Sequence, residues 1–522
     1  MSKYIEYKNI YIYTSLAIIS FGLNFYVASK GVFPVDTFIH YDNGYRILLG
    51  DNPVKDYWIV HGFIIDYLQA FFFKIFGNSW HSYIAHSSIF NSAITLATFF
   101  TFRLLKIDIL LSCFFSISFA ILAYPVSGTP FLDLHSSFFS LLGIYFAIIA
   151  ILKNKNSFWF FTSILLCFAF FSKQVPAGYT IIILSLFNIY LAVIKKNFKI
   201  FLFFAAGGIF FLIILLVFLL FREISIYNFI LQIFLFPQSI GASRYDTYIL
   251  NIKNVILNFK FIHLIVFFIF ISNFVIFKKN KNYFKSKNFE ILLIILIFYS
   301  TTLFHQIYTK NQIYIFFLIP FLSGFLIYFN NQTFINFKKI ITVFVISLCL
   351  FTTIKYNKRF NIERKFHELN NTNLNDSISA KIIHKNFKGL KWISPYFTDP
   401  NEEAELIKNF LFMLDDDQDE KMVISQYNFF SSLLNERLNS PSRTYDSISY
   451  PRKDTKYFEE YQKYLIKIIN NNKIKKIYIF EPYSKYNINH IIYNYIPDTC
   501  FEKNKPNKHS LVLKIINCKE LK

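Results

Sequence analysis

Long apolar runs separated by short polar segments fill the first 355 residues of the chain. A helix needs about 17–25 predominantly apolar residues to cross the hydrocarbon core of a bilayer. The pattern therefore predicts about eleven membrane-spanning helices. They lie near residues 10–29, 81–102, 108–124, 131–151, 157–172, 176–194, 200–221, 258–277, 290–306, 312–329 and 340–355. A further apolar stretch, 63–77, is short and carries Asp66, Gln69 and Lys74, so we expect an interfacial or re-entrant helix there.

The last part of the chain, residues 356–522, is polar and rich in Asn, with charges of both signs between short apolar stretches. KKIYIF (475–480) and SLVLKII (510–516) predict strands, whereas 401–414 and 457–471 predict helices. The fold class is therefore mainly α. A transmembrane helical bundle occupies residues 1–355, and a soluble α/β domain occupies residues 356–522.

Composition agrees with a membrane protein, because 54% of the residues are hydrophobic and 16% are charged. A net charge of +22 would suggest nucleic-acid binding in a soluble protein. Here Lys and Arg fall mainly in alternate loops, where the positive-inside rule and anionic lipids favour them. No nucleic-acid partner is expected. The same rule places the N-terminus in the cytoplasm, and an odd number of spans then places residues 356–522 outside.

Two features keep alternatives open. The first apolar run ends in YVASKG (26–31), so a cleavable signal peptide is the alternative to an uncleaved span, which the length of the run favours. Cys500 and Cys518 lie in the polar tail. They can form a disulfide outside the cytoplasm, and two free thiols are the alternative.

Acidic residues are concentrated between the first two predicted spans. Residues 1–355 contain eleven Asp or Glu, and five of them fall in 36–66, namely Asp36, Asp42, Asp51, Asp56 and Asp66. Turn and surface positions explain Asp51 and Asp56, because they lie in GDNP and VKDYW, and Asp42 is left undecided. Asp36 follows the first span closely, and a carboxylate near the membrane surface is costly unless it faces protein or water. We predict that Asp36 is a partly desolvated general base.

Basic and polar residues lie at the same predicted edge of the membrane. Each has a simpler interpretation as an interfacial anchor or a snorkelling side chain. Together, however, they suit a phosphate-bearing lipid substrate. The predicted contacts to substrate or donor phosphate are His61, Lys173, Arg222, Arg244 and Lys310, and the further candidates are Asp42, Asp133 and His305.

Several segments carry a resemblance to a known family. YRILLGDNPVKDYW (45–58), HGFIIDYL (61–68) and FFKIFGNS (72–79) resemble the first outer loop of the GT-C glycosyltransferase superfamily. The closer relatives are of the protein O-mannosyltransferase and aminoarabinose-transferase type, including many uncharacterised bacterial proteins. PFLDLHSSFF (130–139), FAFFSKQVPAGY (168–179) and YIFFLIPFLSGF (314–325) are similar to later segments of the same family.

The resemblance implies a polytopic enzyme of the bacterial inner membrane whose outer loop, residues 30–80, forms juxtamembrane helices. It implies transfer of a sugar from a polyprenyl-phosphate donor to a lipid, glycan or protein acceptor on the periplasmic face, with inversion. Asp36 matches the catalytic Asp of the family. Thr37 stands where the family often has a second acid, so we expect no cofactor and favour a metal-independent reaction over one that uses a divalent metal.

Two other functions are alternatives. An O-antigen-type polysaccharide polymerase or ligase also uses lipid-linked sugars, but such proteins rely on Arg and His in large late outer loops. A lipid-linked sugar transporter or flippase would do no chemistry and is expected to have polar or broken helices near the bilayer midplane. Most predicted spans are instead apolar through the middle, which favours chemistry at the membrane surface.

Overall fold

The structure is a computed structural model. It describes residues 2–32, 34–124, 128–245, 250–280, 282–310, 313–333, 338–365, 369, 372–446, 448–482 and 490–516. Helices dominate the first two thirds of the chain. They are α1 (Ser2–Val27), α2 (Pro34–Leu48), α3 (Ile64–Phe76), α4 (Trp80–Leu104), α5 (Ile109–Ala123), α6 (Leu132–Lys153), α7 (Ser157–Ser172), α8 (Gln174–Ile194), α9 (Lys199–Phe221), α10 (Ile226–Ile230), α11 (Phe236–Tyr245), α12 (Ile252–Val255), α13 (Lys260–Lys279), α14 (Lys287–Tyr308), α15 (Leu318–Asn330) and α16 (Lys338–Tyr356).

Each predicted span coincides with one of these helices. Within the described part of the chain, seven segments are long and apolar enough to cross a membrane. They are Ile10–Val27, Leu132–Lys153, Gln174–Ile194, Lys199–Phe221, Ile252–Lys279, Lys287–Tyr308 and Lys338–Ile362. The helices α5, α7 and α15 are apolar but shorter. The helical membrane architecture is therefore confirmed, and the total of about eleven crossings stays a prediction.

The predicted interfacial segment 63–77 forms α3, a short amphipathic helix. Its Asp66 and Gln69 are fully buried in the protein. Phe71, Ile75 and Phe76 near its C-terminal end are more than half exposed, which suits a helix that lies against an apolar medium.

The tail forms a small α/β fold. Its main sheet has the strand order β3-β4-β6-β5, in which β3 (Lys421–Ser425) and β4 (Lys476–Phe480) are parallel. The strand β6 (Ser510–Ile515) pairs antiparallel with both β4 and β5 (Phe501–Asn507). A second sheet contains β1 (Ile378–Ser379) and β2 (Lys391–Trp392), and the helices are α17 (Pro400–Asp416), α18 (Phe430–Leu434), α19 (Phe458–Asn471) and α20 (His490–Tyr493). The predicted strands and helices of the tail are thus found as β4, β6, α17 and α19.

Contacts divide the chain into two compact units. The bundle unit comprises Met1–Ala28, Ile84–Leu216 and Arg244–Phe366. The loop–tail unit comprises Ser29–Tyr83, Val217–Ser243 and His367–Lys522. The grouping places the predicted first outer loop in the same unit as the tail domain. At the start of the loop, the backbone N–H groups of Gly31 and Val32 donate to the carbonyl oxygens of Lys391 and Ile393, both at 2.9 Å, and so connect the loop to the tail.

Within the bundle unit, α6 is the central helix. Most of its length is buried, and it packs against α7, α8 and α14. Close approach of neighbouring helices depends on small residues. Gly207 of α9 faces the backbone of α7 so closely that an added Cβ would overlap the carbonyl oxygen of Phe160.

Within the loop–tail unit, α19 supplies much of the core. Its buried Tyr461, Leu465 and Ile468 pack with the apolar sides of β3 and β4. Trp58 of the outer loop belongs to the same core and contacts the Tyr461 ring edge-on at 5.3 Å. The outer loop therefore contributes to the hydrophobic core of the tail.

Candidate functional site

The predicted base, Asp36, lies in the first turn of α2 and is half-buried. A carboxylate in this position interacts favourably with the N-terminal end of a helix. The next turn anchors the helix, because the fully buried ring of Phe38 packs against Trp392 and Phe429, with centroids 6.0 and 5.0 Å away. Residues of the tail thus hold the helix that carries Asp36.

The candidate Asp42 lies one to two turns further along α2 and is buried against α18. Its Oδ1 accepts a hydrogen bond of 2.9 Å from the backbone N–H of Ser432. Burial raises the pKa of the Asp42 carboxyl, and the nearby Arg46 guanidinium and the Ser432 hydrogen bond oppose the shift. Asp42 is therefore a contact between α2 and the tail.

Asp51 and Asp56 do not fit the prediction of turn and surface positions equally well. The Asp51 side chain is completely buried and paired with Arg46 at 2.9 Å and with Arg437 of the tail. Asp56 is partly exposed, accepts from the backbone N–H of Asn52 at 2.7 Å and pairs with Arg437 at 3.1 Å. The surface interpretation of Asp51 is wrong, because the tail brings a cation over it and removes it from water.

Asp66 is the centre of a buried network that sequence reasoning missed. Its Oδ1 lies 2.6 Å from His40 Nδ1, and its Oδ2 accepts from Arg443 Nη2 at 2.6 Å. The same Arg443 nitrogen donates to the carbonyl oxygen of Gly62 at 2.9 Å. Burial lowers the pKa of His40, and its hydrogen bond to Asp66 opposes the shift, so the ring is neutral near pH 7. Because 377 positions separate Asp66 from Arg443, no local sequence signal could reveal the pair.

The bundle unit contains a separate ionic cluster where several helix ends meet. Asp133 opens α6, Lys173 lies between α7 and α8, and His305 is in the last turn of α14. Lys173 Nζ is 2.6 Å from Asp133 Oδ2, and His305 Nε2 is 2.8 Å from Asp133 Oδ1. Three candidates named from the sequence are thus brought together. Asp133 and His305 are buried, whereas Lys173 retains partial exposure.

A buried histidine pair also belongs to the bundle unit. His86 of α4 and His135 of α6 are fully buried, and their Nε2 atoms lie 3.2 Å apart. One ring therefore donates to the other. His135 lies in the segment PFLDLHSSFF (130–139), whereas the sequence gave no signal for His86, because an isolated His in an apolar run has no partner at helical spacing.

The other predicted contacts differ in how exposed they are. His61 of the loop–tail unit is half-buried, next to Gly62. Arg222 is exposed just after α9, and Lys310 is exposed just after α14 in a left-handed conformation with φ of 58°. The side chain of Arg244 lies outside the described residues. Within the described ranges, no group of three or more His, Cys, Asp or Glu is placed to hold a metal ion. Metal independence stays a prediction.

The fold and these ionic clusters belong to a polytopic membrane protein, and the solved structures similar to it are glycosyltransferases of the GT-C type. One is the archaeal oligosaccharyltransferase AglB from Archaeoglobus fulgidus in complex with an inhibitory peptide and a dolichol-phosphate. It has 12% identity and a TM-score of 0.46, over 91% of this chain and 70% of that chain. A second structure of the Archaeoglobus fulgidus oligosaccharyltransferase, with Zn and sulfate, has 13% identity and a TM-score of 0.47, over 90% of this chain and 68% of that chain.

A third similar structure is ArnT from Cupriavidus metallidurans bound to undecaprenyl phosphate. It has 8% identity and a TM-score of 0.45, over 97% of each chain. No family model and no curated protein matches the chain. The three structures agree with the resemblance stated from the sequence. At TM-scores below 0.5 they carry no argument about substrate or mechanism, and the function proposed below depends on this chain's own residues.

Proposed function

We propose that the protein is an integral-membrane glycosyltransferase that moves a sugar from a polyprenyl-phosphate donor to an acceptor hydroxyl on the periplasmic face. Asp36 takes the proton of the acceptor hydroxyl. The acceptor oxygen forms a bond to the anomeric carbon from the face opposite the phosphate. The lipid phosphate leaves with the electrons of its bond to that carbon, so the configuration inverts. Asp36 acts as a general base.

The observation that carries this proposal is the difference in burial and position among the five acidic side chains of the outer loop. Asp42, Asp51 and Asp66 are buried and bound by the tail or by the loop itself. Asp56 is partly exposed and lies in the loop between α2 and α3 rather than on a helix. A general base has to reach the proton of a substrate, and a buried carboxylate is poorly placed for that. Asp36 keeps part of its surface exposed at the start of a helix that is firmly anchored.

Cationic side chains for the donor phosphate are proposed among the residues that retain exposure. Lys173 is partly exposed, and its ammonium lies beside Asp133, which orients it. Arg222 and Lys310 are exposed near helix ends. Arg suits bidentate contact with a phosphate, whereas Lys supplies a compact charge. His61 is half-buried and also belongs to the proposed set, as does Arg244, which is included from the sequence alone. Asp133 and His305 act by positioning Lys173.

The periplasmic placement of the tail has support of its own. Cys500 is disulfide-bonded, whereas Cys518 lies outside the described residues. Disulfides form and persist in oxidising compartments such as the bacterial periplasm and are rare in the cytosol. This agrees with a tail outside the cytoplasm and, by the positive-inside rule, with a cytoplasmic N-terminus.

The test is the Asp36→Asn variant in a strain that lacks the native protein. Wild-type protein is expected to restore a sugar on a surface polysaccharide, lipid or protein, detected as a mass difference by mass spectrometry. Asp36→Asn is expected to reduce that signal at least about a hundredfold, in keeping with the loss of general-base catalysis. Its amount in the membrane and its gel-filtration profile in detergent should match those of the wild type.

The matched control is Asp376→Asn, which changes an exposed Asp of the same unit. It is expected to restore the sugar fully. Full restoration by Asp36→Asn would show that Asp36 is not the base. If deletion of the protein changes no glycan at all, the transferase proposal itself fails.

A further inference from the structure

The tail domain contains a cavity of about 450 Å³ where β4 ends and β6 begins. This volume lies within the range of small-molecule pockets, roughly 300–1,000 Å³. Its walls include Glu481, Tyr493, Lys505, Lys508, His509 and Ser510. The acids of the outer loop do not line this cavity, and neither do Asp133, Lys173 and His305 of the bundle unit. The proposed transfer reaction therefore does not use the cavity.

Two polar atoms in the cavity wall are buried without a hydrogen bond to any described residue. They are the Oγ of Ser510, whose residue is only 2% exposed, and the Nε2 of His509. Buried polar atoms in native structures nearly always have a partner. A hydroxyl and an imidazole nitrogen together can both donate and accept. A ligand with hydroxyl groups would satisfy both atoms.

Sheet pairing holds these two residues in place. Ser510 pairs with Phe480 in the β4–β6 register, and the backbone N–H of Glu481 donates to the carbonyl oxygen of His509 at 2.8 Å. The His509 ring is hydrogen-bonded to the backbone of Glu481. Burial lowers the pKa of His509, so its ring is neutral near pH 7. The wall is therefore preorganised, which reduces the entropy lost on binding.

The charges around the cavity define the ligand further. The exposed ammonium groups of Lys505 and Lys508 line one part of the wall and would attract an anionic group. The carboxylate of Glu481 would repel a bare anion but can accept hydrogen bonds from hydroxyl groups. The ring of Tyr493 adds an apolar wall with a polar end. Mixed polar groups beside an aromatic ring suit a sugar that carries a negative charge.

We infer that this cavity is a binding site for an anionic sugar unit, a hexose that carries a carboxylate or a phosphate. The lysines contact the anionic group, whereas Ser510, His509 and Glu481 contact the hydroxyls. The site does no chemistry. It would hold a glycan by a unit that does not react, and its existence does not depend on the proposed transfer reaction.

The test uses the purified full chain in detergent and saturation-transfer NMR. The probes are glucuronate, glucose 6-phosphate and glucose, with inorganic phosphate added as a competitor. We expect glucuronate, glucose 6-phosphate or both to bind at least tenfold more tightly than glucose, and equimolar phosphate not to displace them. Binding of only one charged probe would support the site and identify the anionic group as a carboxylate or as a phosphate.

Three variants decide the assignment. Ser510→Ala should raise the Kd of the charged probe about three- to tenfold, the loss expected for one hydrogen bond. The double variant Lys505→Gln/Lys508→Gln should raise it about tenfold or more. The control Lys467→Gln changes an exposed lysine of α19 that does not line the cavity, and it should leave the Kd within twofold.

Several results would overturn the inference. They are no binding by either charged probe, equal binding of glucose, displacement by equimolar phosphate, or an unchanged Kd in the lysine double variant. The lysine positions are exposed, so the double variant decides the matter even if Ser510→Ala fails to fold. Sugar transfer is not measured, and failure of this site would leave the proposed function untouched.

Discussion

Replacing Arg443 with Met should strongly lower the thermal stability of the loop–tail unit. Arg443 is 3% exposed and donates to both the Asp66 carboxylate and the Gly62 carbonyl, at 2.6 and 2.9 Å. Met fills a similar volume but leaves the carboxylate of Asp66, which is 0% exposed, without its cation. Removing one partner of a buried ion pair typically costs about 3–5 kcal/mol. In a unit of this size 1 kcal/mol shifts the Tm by about 2–4 °C, so a fall of about 6–20 °C is expected.

Tryptophan fluorescence of the full chain in detergent can follow this transition. Three of the four tryptophans, Trp58, Trp80 and Trp392, belong to the loop–tail unit and are buried. Heating should therefore report chiefly on this unit. Hydrogen exchange of peptides from α2 and α3 should also accelerate in Arg443→Met, because the network fixes His40 of α2 and Asp66 of α3.

Two further variants distinguish destabilisation by the unpaired Asp66 carboxylate from destabilisation by a general loss of packing. Adding Asp66→Asn to Arg443→Met removes the unpaired charge, so the double variant should recover at least half of the lost Tm. The control Arg452→Met changes an exposed Arg of the same unit and should stay within about 0.5 kcal/mol of the wild type. A Tm for Arg443→Met within 2 °C of the wild type would refute the reasoning. A double variant less stable than the single one would do the same.

Two more predictions concern stability. Because burial raises the pKa of Asp42, this carboxyl stabilises the folded state below its unfolded pKa of about 3.9, and that contribution is lost as the pH rises through its higher folded pKa. Asp42→Asn keeps an acceptor for the Ser432 N–H, so its Tm should exceed that of the wild type at pH 7 and match it near pH 4; a lower Tm at pH 7 would contradict this. Gly207→Ala should cost about 1–3 kcal/mol in thermal unfolding, because the new Cβ meets the rigid backbone of α7. Gly22→Ala, whose Cβ would have no atom within 4 Å, is the matched control and should be neutral or slightly stabilising.

The tail is a structural support for the outer loop. Phe38, Asp42 and Asp66 all make contacts with tail residues, and Trp58 lies in the tail's own core. The helix α2, which carries Asp36 in its first turn, is therefore held through Phe38 and Asp42 by residues more than 340 positions away. Under the proposed function, a change in the tail core would shift α2 and therefore the carboxylate of Asp36, the proposed base.

The sequence by itself determined the helical architecture, because span length and apolar content are local properties that the bilayer imposes on each segment. It also located β4, β6, α17 and α19, whose apolar periodicity is visible within a few residues. It singled out Asp133, Lys173 and His305 as polar residues at helix ends, although not the distances that join them. The strand β3 (KMVIS) was not predicted, since its three apolar residues follow directly on the acidic run 415–420 and show no alternation.

Only the tertiary structure decided what the acids of the outer loop do. Asp51 and Asp66 look like ordinary loop and helix residues in sequence, yet Arg437 and Arg443 of the tail pair with them and bury them. The division of the chain into units was equally out of reach, because it depends on contacts across hundreds of residues. Burial and ion pairing are properties of what lies opposite a side chain in space, and the local pattern of a sequence does not contain that information.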